Sequence, residues 1–175
     1  WEPLAHDQIR LGQKASYGEE VVPFYRFDQA KVIVSVDADF LGTWMAPTTF
    51  TRQFAEGRKN PKTMSKLVAF DSSYSLTGAN ADIRVRIKPS QQVDVVMGLA
   101  HDIVVKRGFG KYAGQSQVKT ALEKFANVSA RLSISPSNWN KLVEDLIQNK
   151  GESLIVAGGL AGQTAQAHEL QIAVN

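Results

Sequence analysis

An α/β domain with a mainly parallel sheet flanked by helices is predicted from three observations. Two short β-branched apolar runs each end in an acid, Lys31-Val-Ile-Val-Ser-Val-Asp37-Ala-Asp39 and Lys66-Leu-Val-Ala-Phe-Asp71. Such runs mark strands buried on both faces. A third run, Ser153-Leu-Ile-Val-Ala157, leads straight into the glycine turn Gly158-Gly-Leu-Ala-Gly162. Helical patterns lie between these strands, and that alternation means parallel pairing through crossovers, a Rossmann-like three-layer arrangement.

Residues 1–30 are polar and aromatic, with weak periodicity from Asp7 to Ala15, and are expected to be an irregular lead-in to a core over 31–175. The first strand covers 31–37. Thr48 or Thr49 is expected to cap a helix running to about Glu56, ended by Gly57 and Pro61. The second strand is 66–71, and 72–82 reads as a polar crossing loop. Arg84-Val-Arg-Ile-Lys88 alternates as a half-exposed strand should.

Pro89-Ser90 opens a helix on which Val93, Val96, Met97, Ala100, Ile103 and Val104 recur at helical spacing, and Lys106-Arg107-Gly108 stops it. Val118, Ala121, Leu122 and Phe125 mark a second helix. Ser135 as cap and Pro136 in the first turn begin a third, which should bury Trp139, Leu142, Val143, Leu146 and Ile147 before Gly151 ends it. The strand at 153–157 and a final helix complete the chain.

With 175 residues and 43% hydrophobic content, the chain is sized for one domain with a real core. It opens on Trp1 and stops at Asn175 inside a helical pattern, and is expected to be a fragment of a longer protein. No apolar run approaches the roughly 18 to 20 residues of a membrane span, and no signal peptide is visible. Cysteine is absent, which excludes disulfides, thiolate catalysis and iron–sulfur ligation within these residues. The net charge is +3. The densest basic stretch holds Arg52, Arg58, Lys59, Lys62 and Lys66, and reads as a solvated helix end and loop, or else as a docking face for an acidic partner. No aromatic residues interleave with those charges, so no nucleic acid is expected as partner.

In open parallel sheets, ligands sit outside the carboxyl ends of the strands. Asp37, Asp39 and Asp71 stand there. An acid in that place reads a ribose hydroxyl, holds a metal, or caps a helix. The turn from Gly158 to Gly162 suits an anion, because glycines let backbone N–H groups face a phosphate, or is a tight turn that needs glycine. It lacks the Lys-Ser/Thr of a nucleotide-hydrolysing loop. Gly108-Phe-Gly110-Lys-Tyr-Ala113 matches the dinucleotide fingerprint in letters, but it follows a helix and reads as a linker. Asp37-Ala38-Asp39 is a DxD, the arrangement that holds a divalent ion in nucleotide-sugar transferases, or else a strand-end turn with solvated acids. His6, His101 and His168 are scattered, without metal-ligand spacing. No catalytic or metal-ligating set emerges.

From Phe27 to about Arg107 the chain resembles the molybdopterin oxidoreductase superfamily, the dimethyl sulfoxide reductase and formate dehydrogenase group. The matching pieces are Val32 to Asp39, Lys66 to Asp71, Thr77, Ala81-Asp82, Arg84 to Pro89 and Val93 to Val105, with Ser153 to Gly162 as a later strand and glycine turn. Within it, Ser35-Val-Asp-Ala-Asp-Phe-Leu-Gly-Thr-Trp44, Phe50-Thr-Arg-Gln-Phe-Ala-Glu-Gly-Arg58 and Ser75-Leu-Thr-Gly-Ala-Asn-Ala-Asp82 look like the iron–sulfur subunit of alternative complex III, a membrane-bound quinol-to-cytochrome assembly.

In cofactor-loaded relatives, the resemblance implies, this domain holds the guanosine-phosphate half of a molybdopterin guanine dinucleotide. That role maps to Asp37, Asp39, Asp71, Ser72, Ser73, Thr77, Gly158, Gly159 and Gly162. In the alternative complex III subunit the same region is expected to have lost the molybdenum cofactor. The chain departs from loaded relatives where Asp-Pro-Arg is Asp71-Ser72-Ser73 and where Pro-Gly-Thr-Asp is Pro89-Ser90-Gln91-Gln92. Both changes remove groups that would pin a nucleotide. The expectation is a non-catalytic scaffold without a cofactor of its own. Iron–sulfur clusters would lie elsewhere in the parent, and sister domains and respiratory subunits would be partners. The parent would be bacterial and membrane-associated on the periplasmic side, and the domain should expose an apolar patch. The competitors are a working molybdopterin oxidoreductase and a DxD nucleotide-sugar transferase.

Overall fold

The computed structural model describes residues 5–159 and 167–175. Four strands, β1 (Val32–Val36), β2 (Lys66–Asp71), β3 (Ile83–Arg86) and β4 (Ser153–Ala157), form one sheet in the order β3-β2-β1-β4. Every pairing is parallel, with Val34 opposite both Val68 and Ile155. All five residues of β1 are buried. Val32, Val34 and Val36 enter one apolar layer and Ile33 the other, as the two-residue period of a strand requires.

Helices cover both faces. Alongside Val32, Val34 and Val36 pack α4 (Gln92–Ala100), α6 (Pro136–Gln148) and α7 (Ala167–Val174), through Val95, Leu99, Trp139, Leu142 and Leu170. The opposite layer holds Ile9 of α1 (Asp7–Tyr17), Phe50 and Phe54 of α2 (Pro47–Gly57), and an aromatic group around Phe27. There Phe27 stacks on Phe40 with ring centres 4.1 Å apart. Helices α1 and α7 pack on each other, with Gln13 Nε2 donating to Asn175 Oδ1 and Tyr17 Oη to the Asn175 carbonyl, both at 2.8 Å.

Several expected elements take a different form. The lead-in is not irregular throughout, since Asp7–Tyr17 is a helix closed by Gly18 at φ 84°. Helix α2 begins at Pro47, with Ala46 before it and no side-chain cap, so neither Thr48 nor Thr49 caps it. Proline in the first turn fixes φ and lacks only an N–H that would have no intrahelical partner there. The crossing loop contains a short helix, α3 (Leu76–Ala79), capped by Ser75 Oγ, which accepts from Gly78 N at 2.8 Å.

The long helix after Pro89 comes in three pieces: a 3₁₀ turn, α4, and a wider π-type turn over His101–Lys106. That wider turn holds His101 and Asp102 inside, where Asp102 meets His101 Nδ1 and accepts from Trp139 Nε1, each at 2.9 Å. Burial pushes the Asp102 carboxyl up, but hydrogen bonds from His101 and Trp139 and the Lys106 charge outweigh it, and its pKa lies below the ordinary value. Only Leu122 of α5 (Ser116–Glu123) is buried, whereas α6 is capped by Ser135 as expected. Val21, Val22 and Phe24 stand exposed along the segment after α1, as do Tyr74 just before α3 and Leu76 at its start.

A side chain at Gly12 would overlap Cβ of Gln171, so the approach of α1 to α7 requires glycine there. Gly12→Val should therefore push α1 from α7 and cost about 1–3 kcal/mol, measured as a lower urea midpoint of unfolding.

Candidate functional site at the strand ends

From β1 the chain steps outward to β2 and β3, then returns to β4 on the other side of β1. The carboxyl ends of β1 and β4 thus flank the switch point at which such sheets leave a crevice. A cavity of about 420 Å³ opens there, and Asp37, Asp39, Asp71, Ser72, Ser73, Gly158 and Gly159 line it. Thr77 lies behind the wall, fully buried. Gly162 falls outside the described residues, so the anion-binding reading of that turn is represented only by Gly158 and Gly159. His6, weighed from sequence only as a scattered histidine, also lines the cavity, as do Gln8, Ile9, Trp44 and Tyr74, to which the sequence assigns no site role. The periodicity from Asp7 is the one available signal for Gln8 and Ile9. That they meet the strand ends depends on packing against a helix at the far end of the chain.

Each acid is held by hydrogen bonds within the chain. Asp37 leaves β1 at φ 54°, a left-handed turn that Asp tolerates better than most residues. Its Oδ1 accepts from Ser72 N at 2.6 Å and Ser72 Oγ at 2.9 Å, and its Oδ2 from Gln92 Nε2 at 2.7 Å. Gln92 also donates to the Gly158 carbonyl at 3.2 Å. One carboxylate therefore joins β1 to the loop after β2, to the start of α4 and, through Gln92, to the end of β4. Asp39 Oδ1 accepts from Thr77 N at 2.9 Å, while Thr77 Oγ1 accepts from Leu41 N at 3.0 Å. Asp71 Oδ2 accepts from Ser75 Oγ at 2.8 Å and from Arg84 Nε at 3.4 Å. Burial pushes the Asp71 pKa up, the bonds from Ser75 and Arg84 pull it back, the Asp37 charge adds to the rise, and the net direction is upward.

Backbone geometry explains the glycines. A Cβ on Gly159, at φ 76°, would stand 2.8 Å from Asp37 Cβ, and one on Gly158 would stand 2.7 Å from Trp44 Nε1. Both positions need glycine so that the end of β4 can close on the β1 turn and on Trp44.

Among the described residues no lysine or arginine lines the cavity. Much of the basic stretch is paired within the chain: Arg58 with Asp82, Lys59 with Glu56, and Lys66 with Asp145. The DxD acids are held by different elements, and among the described residues no three acidic, histidine or cysteine side chains gather as a metal site. Gly108 and Gly110, both at positive φ, connect the π-type turn to α5 and take no part in the cavity. Among the described residues no helix is long and apolar enough to cross a membrane.

No protein-family model matches the chain, and no curated protein matches it in sequence. Among solved structures it is similar to acetylene hydratase from Pelobacter acetylenicus, with a TM-score of 0.65 at 12% identity over 96% of this chain. The chain spans about a quarter of that enzyme, 24% of its length. At this identity the likeness shows a shared fold.

Two substitutions test this wiring. Asp37→Asn puts an amide N–H₂ where donors now converge and removes the charge, and should cost about 1.5–3 kcal/mol in urea unfolding. For Asp71, a raised pKa means that the folded state holds the proton more tightly than the unfolded chain does. Its ionisation therefore erodes stability as pH rises above the ordinary value of 3.8. The stability difference, wild type minus Asp71→Asn, should fall as pH climbs through that window, read from urea curves at several pH values.

Proposed function

We propose that this chain is a molybdopterin-oxidoreductase-like domain of a respiratory iron–sulfur electron-transfer subunit, of the alternative complex III kind, and that it acts as a non-catalytic scaffold. Acetylene hydratase is a molybdopterin enzyme of the dimethyl sulfoxide reductase family, and the shared fold supports the coarser half of this reading. The scaffold half rests on one observation. The strand-end acids are already engaged by donors of the chain itself, Asp37 by Ser72 and Gln92, Asp39 by Thr77, and Asp71 by Ser75 and Arg84.

A pterin guanine dinucleotide fits these residues poorly. Its diphosphate would face three carboxylates with no lysine or arginine among the described lining residues. The two glycines are occupied in bringing β4 against Asp37 and Trp44. On this reading the electrons pass through clusters elsewhere in the parent, and the domain packs against sister domains and partner subunits at the periplasmic face of a bacterial membrane. The exposed Val21, Val22, Phe24 and Tyr74 are consistent with such packing.

A second reading, a domain that holds the guanosine-phosphate half in a working oxidoreductase, is favoured by the cavity itself, about 420 Å³ that side chains leave unfilled. The metal and pterin content of the intact parent protein separates the two readings. Iron without molybdenum, tungsten or pterin is expected for the scaffold, and near one such metal with its pterin per chain would overturn it.

A further inference from the structure

A second cavity lies beside the first, and its charge is opposite. Where β3 runs on, Val85 and Ile87 point inward at 1% and 4% exposure, so Arg84, Arg86 and Lys88 alternate to the outer side. Arg84 is occupied by Asp71 and by the Ser73 carbonyl. Arg86 and Lys88 form no ion pair with any described residue, and both line a cavity of about 530 Å³ that shares Ser72 as a wall with the acid-lined one. Arg131 also lines it, from the 3₁₀ turn Val128–Arg131. Its one ion pair among the described residues is with Asp94 at 3.9 Å, at the outer edge of such contacts. Ser133 and Gln91 add neutral polar groups, and no acid is among the described lining residues.

Exposed cations on an edge strand also serve to discourage pairing with another strand. That accounts for Arg86. It does not account for Arg131, which a separate element brings to the same cavity, nor for Arg86 and Lys88 standing without an ion pair among the described residues while Arg131 has only the long one to Asp94. Three like charges gathered with one distant counterion raise one another's energy, and an anion relieves that. Two guanidinium groups and an ammonium match a tetrahedral oxyanion, since guanidinium can give paired N–H donors and the ammonium a point charge.

We propose that Arg86, Lys88 and Arg131 form a binding site for a phosphate group. The site stands outside the acid-lined cavity, and it goes beyond the scaffold role without depending on it. The phosphate can be free or the end group of a larger small molecule. The open position of the three side chains makes binding modest and sensitive to salt.

The test is calorimetric titration of the full chain with inorganic phosphate at low ionic strength. Saturable binding at a single site is expected. Arg86→Ala with Arg131→Ala should weaken it about tenfold or more, Lys88→Gln should weaken it less, and about 0.5 M salt should weaken it strongly. These side chains are exposed, so an unchanged urea midpoint checks that the variants remain folded. Adenosine monophosphate as a second titrant distinguishes the sources. Equal affinity means that the phosphate alone is read, and tighter binding means that it belongs to a larger ligand. No saturable binding, or the same affinity in the folded double variant, would overturn the site.

Discussion

The Asp37 carboxylate is the contact on which the strand-end geometry depends. Three parallel strands finish close together there, and parallel strands bring their loops to one end without any hairpin to join them. Something must tie the loops. Asp37 does so by accepting the Ser72 amide and hydroxyl on one oxygen and Gln92 on the other, and Gln92 carries the tie on to the Gly158 carbonyl. Such charge-assisted bonds are shorter and stronger than neutral ones, and a carboxylate half-sheltered from water gains most from them. The positive φ of Asp37 and the glycine at 159 follow from the same constraint, because both let β1 and β4 close on that point.

Acids at the ends of parallel strands have two uses that look alike in sequence. One is to receive a ligand, and the other is to satisfy the amide groups of the loops that the strands release. The bonds of Asp37 and Asp39 lie with the second use, and Asp71 is held by the Ser75 hydroxyl and the Arg84 guanidinium. The cavity beside them stays open because α1, held on α7, roofs it with Gln8 and Ile9 and does not fill it. Cations are segregated to the outer side of β3 and to Arg131, so the two neighbouring cavities carry opposite charge.

How much of this was legible follows from the range of each interaction. Strands β1, β2 and β4 were readable because a strand covered by helices on both faces demands a short, mostly apolar run. Helix α6 was readable because Ser135 and Pro136 act within one turn. The three acids could be placed at the strand ends, since strand direction alone puts them there. Their partners could not. Nothing local in Ser72 says that its amide meets a carboxylate on β1, and nothing in Gln92 says that it links Asp37 to Gly158. Helix α1 was missed as a wall of the cavity for the same reason: its few apolar positions make a weak pattern, and its place is set by α7. The cup of Arg86, Lys88 and Arg131 joins a strand end to a 3₁₀ turn, a pairing that no spacing in the chain announces.

Amide hydrogen exchange at Ser72 and Thr77, followed by nuclear magnetic resonance on the chain alone, tests most directly whether the strand-end acids are engaged internally. If Asp37 and Asp39 hold these N–H groups at 2.6 and 2.9 Å, both amides should exchange nearly as slowly as those of β1 and β2. Exchange at the rate of an open loop would mean that the carboxylates are free to receive a ligand, and would contradict the account.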